Sequence, residues 1–465
     1  MCFLDECDMR SRLLSTMSAV HCRGEGSRSN DAGRPSAVAP LSLRTGAVKL
    51  VAVAVLVVAA ACGGGWLFAE SGLSTAQRLA KHGLWQEVHA PLARYLWIHP
   101  RSPRANLLAA EAVVKDDSLP LVRRVNDSLA HLALIPDSSP AALEARIAEA
   151  RVELFLRYEP MAAARSLAEA IDLDGTALEP HLLTWKLLEL TGRADDAEAT
   201  FWTCYDLSAE VDRPQRLREW YVSQFFPLTS TAELDQLMGF RGSAAESGVS
   251  VEMRRLQRFR LAEPHEPVPH AALAQLFLRE NEPELALDVL DEAASELTTE
   301  QQKNPFILGV VVETLLELGE TEPALETFDR WVSPREGRQY WLVRGRVMQE
   351  AGDNPAEAAL AYREALAGWP GVIDWRTMNR LAGCLSRTGN AEQAAAERQR
   401  VQEVQQELPQ ERLQQLLDSL ATPDDPAVAE AMAGFYRAIG RDREAAAWKA
   451  VEAAGSGSAA GNVGP

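Results

Sequence analysis

Between Gly352 and Gly371 the chain reads GDNPAEAALAYREALAGWPG, with Ala358, Tyr362, Ala365 and Trp369 at i, i+4, i+7 and i+11. That spacing puts all four on one face of a helix. Asn354 is placed to cap it, Pro355 suits its first turn, Glu357 would complete a capping box, and Gly368 and Pro370 stop it. Two packed helices lie roughly 8–10 Å apart, and the close end of that range needs small side chains where they cross. Alanine at the crossing, with aromatics filling the wider space beside it, predicts one arm of a helical hairpin.

The same arrangement recurs along the chain. RYEPMAAARSLAEAIDLDG starts at Arg157, ELTGRADDAEATFWTCYDL at Glu189, RENEPELALDVLDEAASEL at Arg279, ELGETEPALETFDRWV at Glu317, RTGNAEQAAAERQRV at Arg387 and AIGRDREAAAWKAVEAAG at Ala438. Each reads as a helix end, a turn and a second helix. The turn positions are Tyr158, Gly192, Asn281, Gly319, Gly352, Gly389 and Gly440. Alanine stands five residues after six of them, at Ala163, Ala197, Ala286, Ala324, Ala394 and Ala445; Gly352 has one extra residue before Ala358. Neighbouring turns lie 33 to 38 residues apart where the pattern is continuous.

This pattern resembles the tetratricopeptide repeat, whose 34-residue antiparallel helix pairs stack into a superhelical solenoid. The copy from Trp341 to Pro370 matches best, with Trp341 and Gly345 on the first helix, Gly352 at the turn, Ala358, Tyr362 and Ala365 on the second, and Pro370 as terminator. A weaker copy carries Gly83 and Pro100 at the family's interval, with Val88 in place of the small residue. The resemblance implies an all-α fold and a concave face of first helices that binds a protein or peptide. Arg376 and Arg380 match the two basic positions used by carboxylate-clamp members of the family, with Asn379 beside them and Arg387 further along. Gly309, Glu313, Leu342 and Val343 depart from that clamp's upstream positions.

An uninterrupted apolar run, LVAVAVLVVAAACGGGWLFA from Leu50 to Ala69, precedes the repeats. As a helix it spans roughly 30 Å, about one hydrocarbon core. Arg34, Arg44 and Lys49 come before it and Glu70 after it, so the positive-inside rule leaves the N-terminus cytoplasmic and the repeats periplasmic in a bacterium. The run reads as a single uncleaved anchor. The alternative is a lipoprotein signal acylated at Cys62, although Ala59 stands where that pattern usually has leucine and the run resumes at Trp66-Leu67-Phe68.

The organisation expected is a disordered tail over 1–45, a transmembrane anchor over 46–69, tetratricopeptide-like repeats over 70–209, an irregular helical segment or hinge over 210–269, further repeats over 270–453, and a flexible tail over 454–465. Within the irregular segment, Trp220, Tyr221, Phe225 and Phe226 have helical spacing and read as core.

Charge and chemistry narrow the function. The formal net charge is −19, and beyond residue 49 there are 40 Lys/Arg against 61 Asp/Glu, a surface that repels phosphate backbones and argues against nucleic acid. The six cysteines have no paired spacing; Cys204 and Cys384 sit in helical patterns as small core residues. No phosphate-binding loop, nucleophile elbow or paired-histidine metal helix is present. His265 and His270, in HEPVPH, read as part of a loop. The expectation is a membrane-tethered scaffold for protein partners, without cofactor, metal or catalysis of its own. The alternative is an accessory or regulatory subunit of an envelope enzyme or export complex.

Overall fold

The computed structural model describes residues 69–240 and 249–460, apart from the side chains of 455–460, and among them every regular element is helical. Four hairpins come first: α1 (69–81) with α2 (Trp85–Ile98), α3 (Pro103–Lys115) with α4 (Leu121–Leu132), α5 (Ala142–Val152) with α6 (Pro160–Leu173), and α7 (Leu178–Leu190) with α8 (Ala194–Leu207). Three further helices follow, α9 (Arg213–Phe225), α10 (Pro227–Leu237) and α11 (Val251–Ala262). The second series pairs α12 (Pro267–Arg279) with α13 (Pro283–Glu296), α14 (Pro305–Glu317) with α15 (Thr321–Asp329), α16 (Arg338–Glu350) with α17 (Pro355–Ala365), and α18 (Trp375–Arg387) with α19 (Ala391–Glu407). The short α20 (Gln410–Ser419) leads to a last hairpin of α21 (Pro426–Ala438) and α22 (Asp442–Ala460). Successive hairpins stack in chain order from α12 to α19.

Among the described residues, eight of the nine hairpin turns share one backbone device, and only the α3/α4 turn has no residue of positive φ. Gly83, Tyr158, Gly192, Asn281, Gly319, Gly389 and Gly440 all take positive φ. At the eighth, between α16 and α17, the left-handed residue is Asp353, at φ 41°, and not Gly352. Counted from Asp353, Ala358 regains the five-residue interval of the other copies. The residue after the turn donates its N–H back across the helix end, as Arg193 does to the Leu188 carbonyl at 2.9 Å and Glu320 to that of Leu315 at 2.8 Å. This closure satisfies carbonyls that a helix end leaves unpaired. The residues five positions on, Val88, Ala163, Ala197, Ala286, Ala324, Ala358, Ala394 and Ala445, are all buried.

The α16/α17 crossing shows why small residues are needed. A Cβ on Gly345 would lie 2.5 Å from the Tyr362 ring, so only glycine lets the tyrosine seat there. Tyr362 then donates its hydroxyl to Gln349 at 2.6 Å. Asn354 caps α17 by accepting from the Glu357 N–H at 3.2 Å. The capping box is only half made, because the Glu357 carboxylate turns to Arg344 at 3.0 Å.

Residues 210–269 depart from the repeat, and the departure is structural work. Trp220 and Tyr221 on α9 are fully buried in a cluster with Trp185, Phe201, Trp369, Leu413, Phe435, Tyr436 and Trp448. The array therefore returns on itself, with α9 packed against α20 and α22. Polar bonds pin this seam: Tyr221 Oη donates to the Leu413 carbonyl at 2.8 Å, Trp220 Nε1 to Glu444 at 3.1 Å, and Tyr436 Oη to Gln224 at 2.7 Å. Arg441 joins Glu444, which is 0% exposed, to Glu198 on α8, and Glu198 also accepts the Trp369 N–H at 2.9 Å. On α11, Arg255 is buried with Asp235 of α10 in a two-oxygen pair at 2.5 and 2.6 Å.

Two terminal expectations remain. The tail over 1–45, Cys62 and the apolar run up to residue 68 lie outside the described residues; among those described, no helix is long and apolar enough to cross a membrane. At the other end α22 continues to Ala460, into the stretch expected as a flexible tail. Its alanines favour helix and no proline interrupts it.

Candidate functional site

A mostly apolar cleft of about 1000 Å³ opens between α3, α5, α7 and α10. Leu107, Ala110 and Val114 line it from α3, and they recur at i, i+3 and i+7, the face of that helix turned to the cleft. Ala148 and Val152 continue it on α5. The π turn Glu153–Arg157 then adds Phe155 and Leu156, and Leu183, Leu234 and Leu237 complete the lining from α7 and α10. Leu237 is 60% exposed. The floor is thus mostly aliphatic, with Phe155 and Trp85 as its aromatics.

Charges ring the cleft without dominating it. Lys115 pairs with Glu111 at 2.7 Å and Arg124 with Asp117 at 3.2 Å, Arg124 also donating to the Val114 carbonyl at 2.9 Å. Arg151 pairs with Glu179 of α7. These cations are matched inside the chain, so the rim carries little net field and the floor supplies the attraction.

Beneath the floor, the π turn buries a carboxyl. Glu153 accepts the Ser166 hydroxyl at 2.7 Å, yet burial pushes its pKa up to about 7, with the Ser166 bond opposing and the nearby Glu149 charge adding. Next to it Tyr158 turns the chain into α6 in the left-handed region, held by a 3.0 Å bond from its hydroxyl to the Met238 carbonyl. Glu263 reaches from α11 to accept the N–H groups of Met161 and Ala162 at 2.8 Å each, capping α6 from a hundred residues away; burial raises its pKa against those bonds.

The residues singled out in the second series lie elsewhere, and their arginines are engaged. Arg380 pairs with Glu350 of the preceding first helix, Arg387 pairs with Asp353, Arg376 lies over the Trp375 ring at 5.4 Å, and Asn379 is exposed beside them. Glu350 also accepts from Arg346 at 3.1 Å, and Arg346 reaches Glu317 at 2.8 Å. A ladder Glu317–Arg346–Glu350–Arg380 therefore runs across α14, α16 and α18. Arg346 is 9% exposed on its side chain. Burial pushes the Glu313 carboxyl up, with Arg346 and Arg338 opposing, and Arg338 itself pairs with Asp374 at 2.8 Å.

The remaining repeat positions, Gly192, Gly319 and Gly389, form turns, while Pro370 follows α17 and opens the short turn before α18. His270 proves to be on α12 and not in a loop, buried, its Nε2 2.8 Å from the Pro264 carbonyl, while His265 sits exposed with Nδ1 3.2 Å from the Glu296 carbonyl. Pro267 at the first turn allows α12 to start this early. Cys204 and Cys384 are buried free thiols, and burial raises that of Cys204 to about 12. Among the described residues no group of three His, Cys, Asp or Glu side chains is placed to hold a metal.

No family model matches the chain, and no curated protein matches it. Solved structures do. The pilF protein of Pseudomonas aeruginosa is 15% identical at a TM-score of 0.28, covering 50% of this chain and 90% of its own. The Cut9–Hcn1 hetero-tetramer of the APC/C is 12% identical at 0.35, covering 83% and 87%, and the TPR domain of P58(IPK) is 15% identical at 0.25, covering 78% and 99%. Superpositions this loose add no weight of their own. The paired helices, the left-handed turns and the buried alanines five residues after them make the described chain a tetratricopeptide-like helical repeat array.

Proposed function

We propose that the protein is a membrane-tethered scaffold whose α3/α5/α7/α10 cleft holds an apolar or amphipathic segment of another polypeptide. The observation that carries this reading is a mostly aliphatic cleft of about 1000 Å³ whose lining cations already have partners in the chain. A groove lined by first helices suits an extended or helical peptide, and removing its floor from water supplies the affinity. The role is binding, since hydrocarbon makes up most of the lining and its cations are already paired. The tether and its side rest on the sequence: twenty uncharged residues from Leu50 to Ala69, preceded by Arg34, Arg44 and Lys49, support an array on the non-cytoplasmic face.

A photoreactive residue at Leu237 of the full chain, activated in native membranes, tests the reading. Mass spectrometry of the adduct is expected to return a polypeptide segment with apolar residues at helical or alternating spacing. Adducts confined to lipid, or to strongly acidic segments, would reject the cleft as a peptide site.

A further inference from the structure

The first hairpin differs in charge from the protein that carries it. Residues 69–104 hold five Lys/Arg against two Asp/Glu, within a chain of net charge −19. Trp97, on the last turn of α2, is 86% exposed, the most exposed large apolar side chain among the described residues. Ala93, Arg94, Trp97, Arg101 and Arg104 are all exposed around it, following the helical face off the end of α2 and into α3.

The geometry gives this patch a place. Glu70 lies 2.7 Å from His99 Nε2, so the start of α1 and the end of α2 meet at one end of the hairpin. Ala69 both closes the apolar run in the sequence and begins α1. Glu70, the first residue past that junction, is therefore one hydrogen bond from His99, itself two residues from Trp97, with Arg101 and Arg104 just beyond.

We infer that this end of the first hairpin is a docking surface for an anionic phospholipid bilayer, with Trp97 in the interfacial layer and Arg101 and Arg104 on headgroup phosphates. Indole rings favour the headgroup level because one edge is apolar and the N–H is polar, and clustered arginines near the surface are drawn to anionic lipid. Against an acidic remainder the local positive charge also orients the array, its first hairpin towards the bilayer and its acidic body away. The inference rests on the membrane-tethered reading above. It adds that the hairpin lies on the surface instead of standing off on a flexible stem.

The test uses the full chain in vesicles of phosphatidylcholine with 30 mol% phosphatidylglycerol, and in phosphatidylcholine alone. Subtracting the emission of a Trp97→Phe variant isolates Trp97, and lipids brominated near the carbonyl report its depth. In the anionic vesicles Trp97 emission is expected to shift to the blue and to lose at least half its intensity to the brominated lipid. Arg101→Glu/Arg104→Glu is expected to restore most of that emission while leaving the chain resistant to an alkaline carbonate wash. A chain that resists the wash but shows Trp97 red-shifted and unquenched would overturn the docking while sparing the tether. Release by the wash would refute the tether, and quenching of Trp97 in the anionic vesicles before the wash would still support the docking. A blue shift seen only when other membrane proteins are present would overturn it in favour of a protein partner.

Discussion

On α3, α5 and α7 the positions that line the cleft are Leu107, Ala110, Val114, Ala148, Val152 and Leu183; on α14, α16 and α18 the ladder is Glu317, Arg346, Glu350 and Arg380. Both sets stand on first helices of repeated hairpins, so the scaffold is shared and only the side chains differ. In the second series each charge has found its opposite one repeat away. A charged ligand arriving there must displace a bond already made, and gains only the difference. In the first series hydrocarbon is left in contact with water, and any apolar partner gains by covering it. A repeat array thus advertises its binding face by what its own neighbours have not satisfied.

The contrast requires both series to belong to one folded body, and the seam through Trp220 joins them. Trp220→Ala removes a buried indole and strips Glu444 of a donor, so a loss of about 3–5 kcal/mol is expected in denaturant unfolding. A loss under about 1 kcal/mol would mean that the seam does not bind the two series together. Next comes the ladder. Arg346→Met leaves Glu317 and Glu350 without their shared cation, at a cost of roughly 1–3 kcal/mol given the partial exposure of both carboxylates. Crosslinking from Leu237 is expected to persist in that variant; its disappearance would couple the two faces that are here kept apart.

The smallest effect sharpens the comparison through pH. Glu153 has an ordinary carboxyl pKa near 4.5 when unfolded and about 7 when folded, because burial favours its neutral form. The folded state holds the proton more tightly, so its contribution is complete below pH 4.5 and is lost as pH rises through 7. Glu153→Gln keeps an acceptor for Ser166 and carries no charge. It is expected to match the parent at pH 4 and to exceed it by about 1–2 kcal/mol at pH 8, measured by chemical unfolding. Equal stability at both pH values would show that Glu153 is not held in its neutral form.

How much of this could be read from the sequence follows the range of each interaction. The hairpins with a left-handed turn were legible because turn, small residue and terminator lie within twenty residues, and even the odd copy at Gly352 announced itself by one extra residue; α3/α4 has no such turn. That Asp353 takes the left-handed conformation there was not legible, since glycine is the usual occupant. The aromatic set at Trp220 and Tyr221 read as core, but its partners Leu413 and Glu444 stand 192 and 224 residues on, beyond any periodicity. The pairing of Arg380 with Glu350 left a signal that local reading missed, an acid one repeat upstream of the base. Nothing linked Leu234 and Leu237 to α3, because α10 belongs to no repeat.

Hydrogen exchange on the full chain, alone and with the polypeptide segment recovered from Leu237, tests the central contrast most directly. Slowed exchange in α3, α5 and α10, with α16 and α18 unchanged, is the predicted footprint. Slowing confined to α16 and α18 would contradict it and move the binding face to the charged ladder.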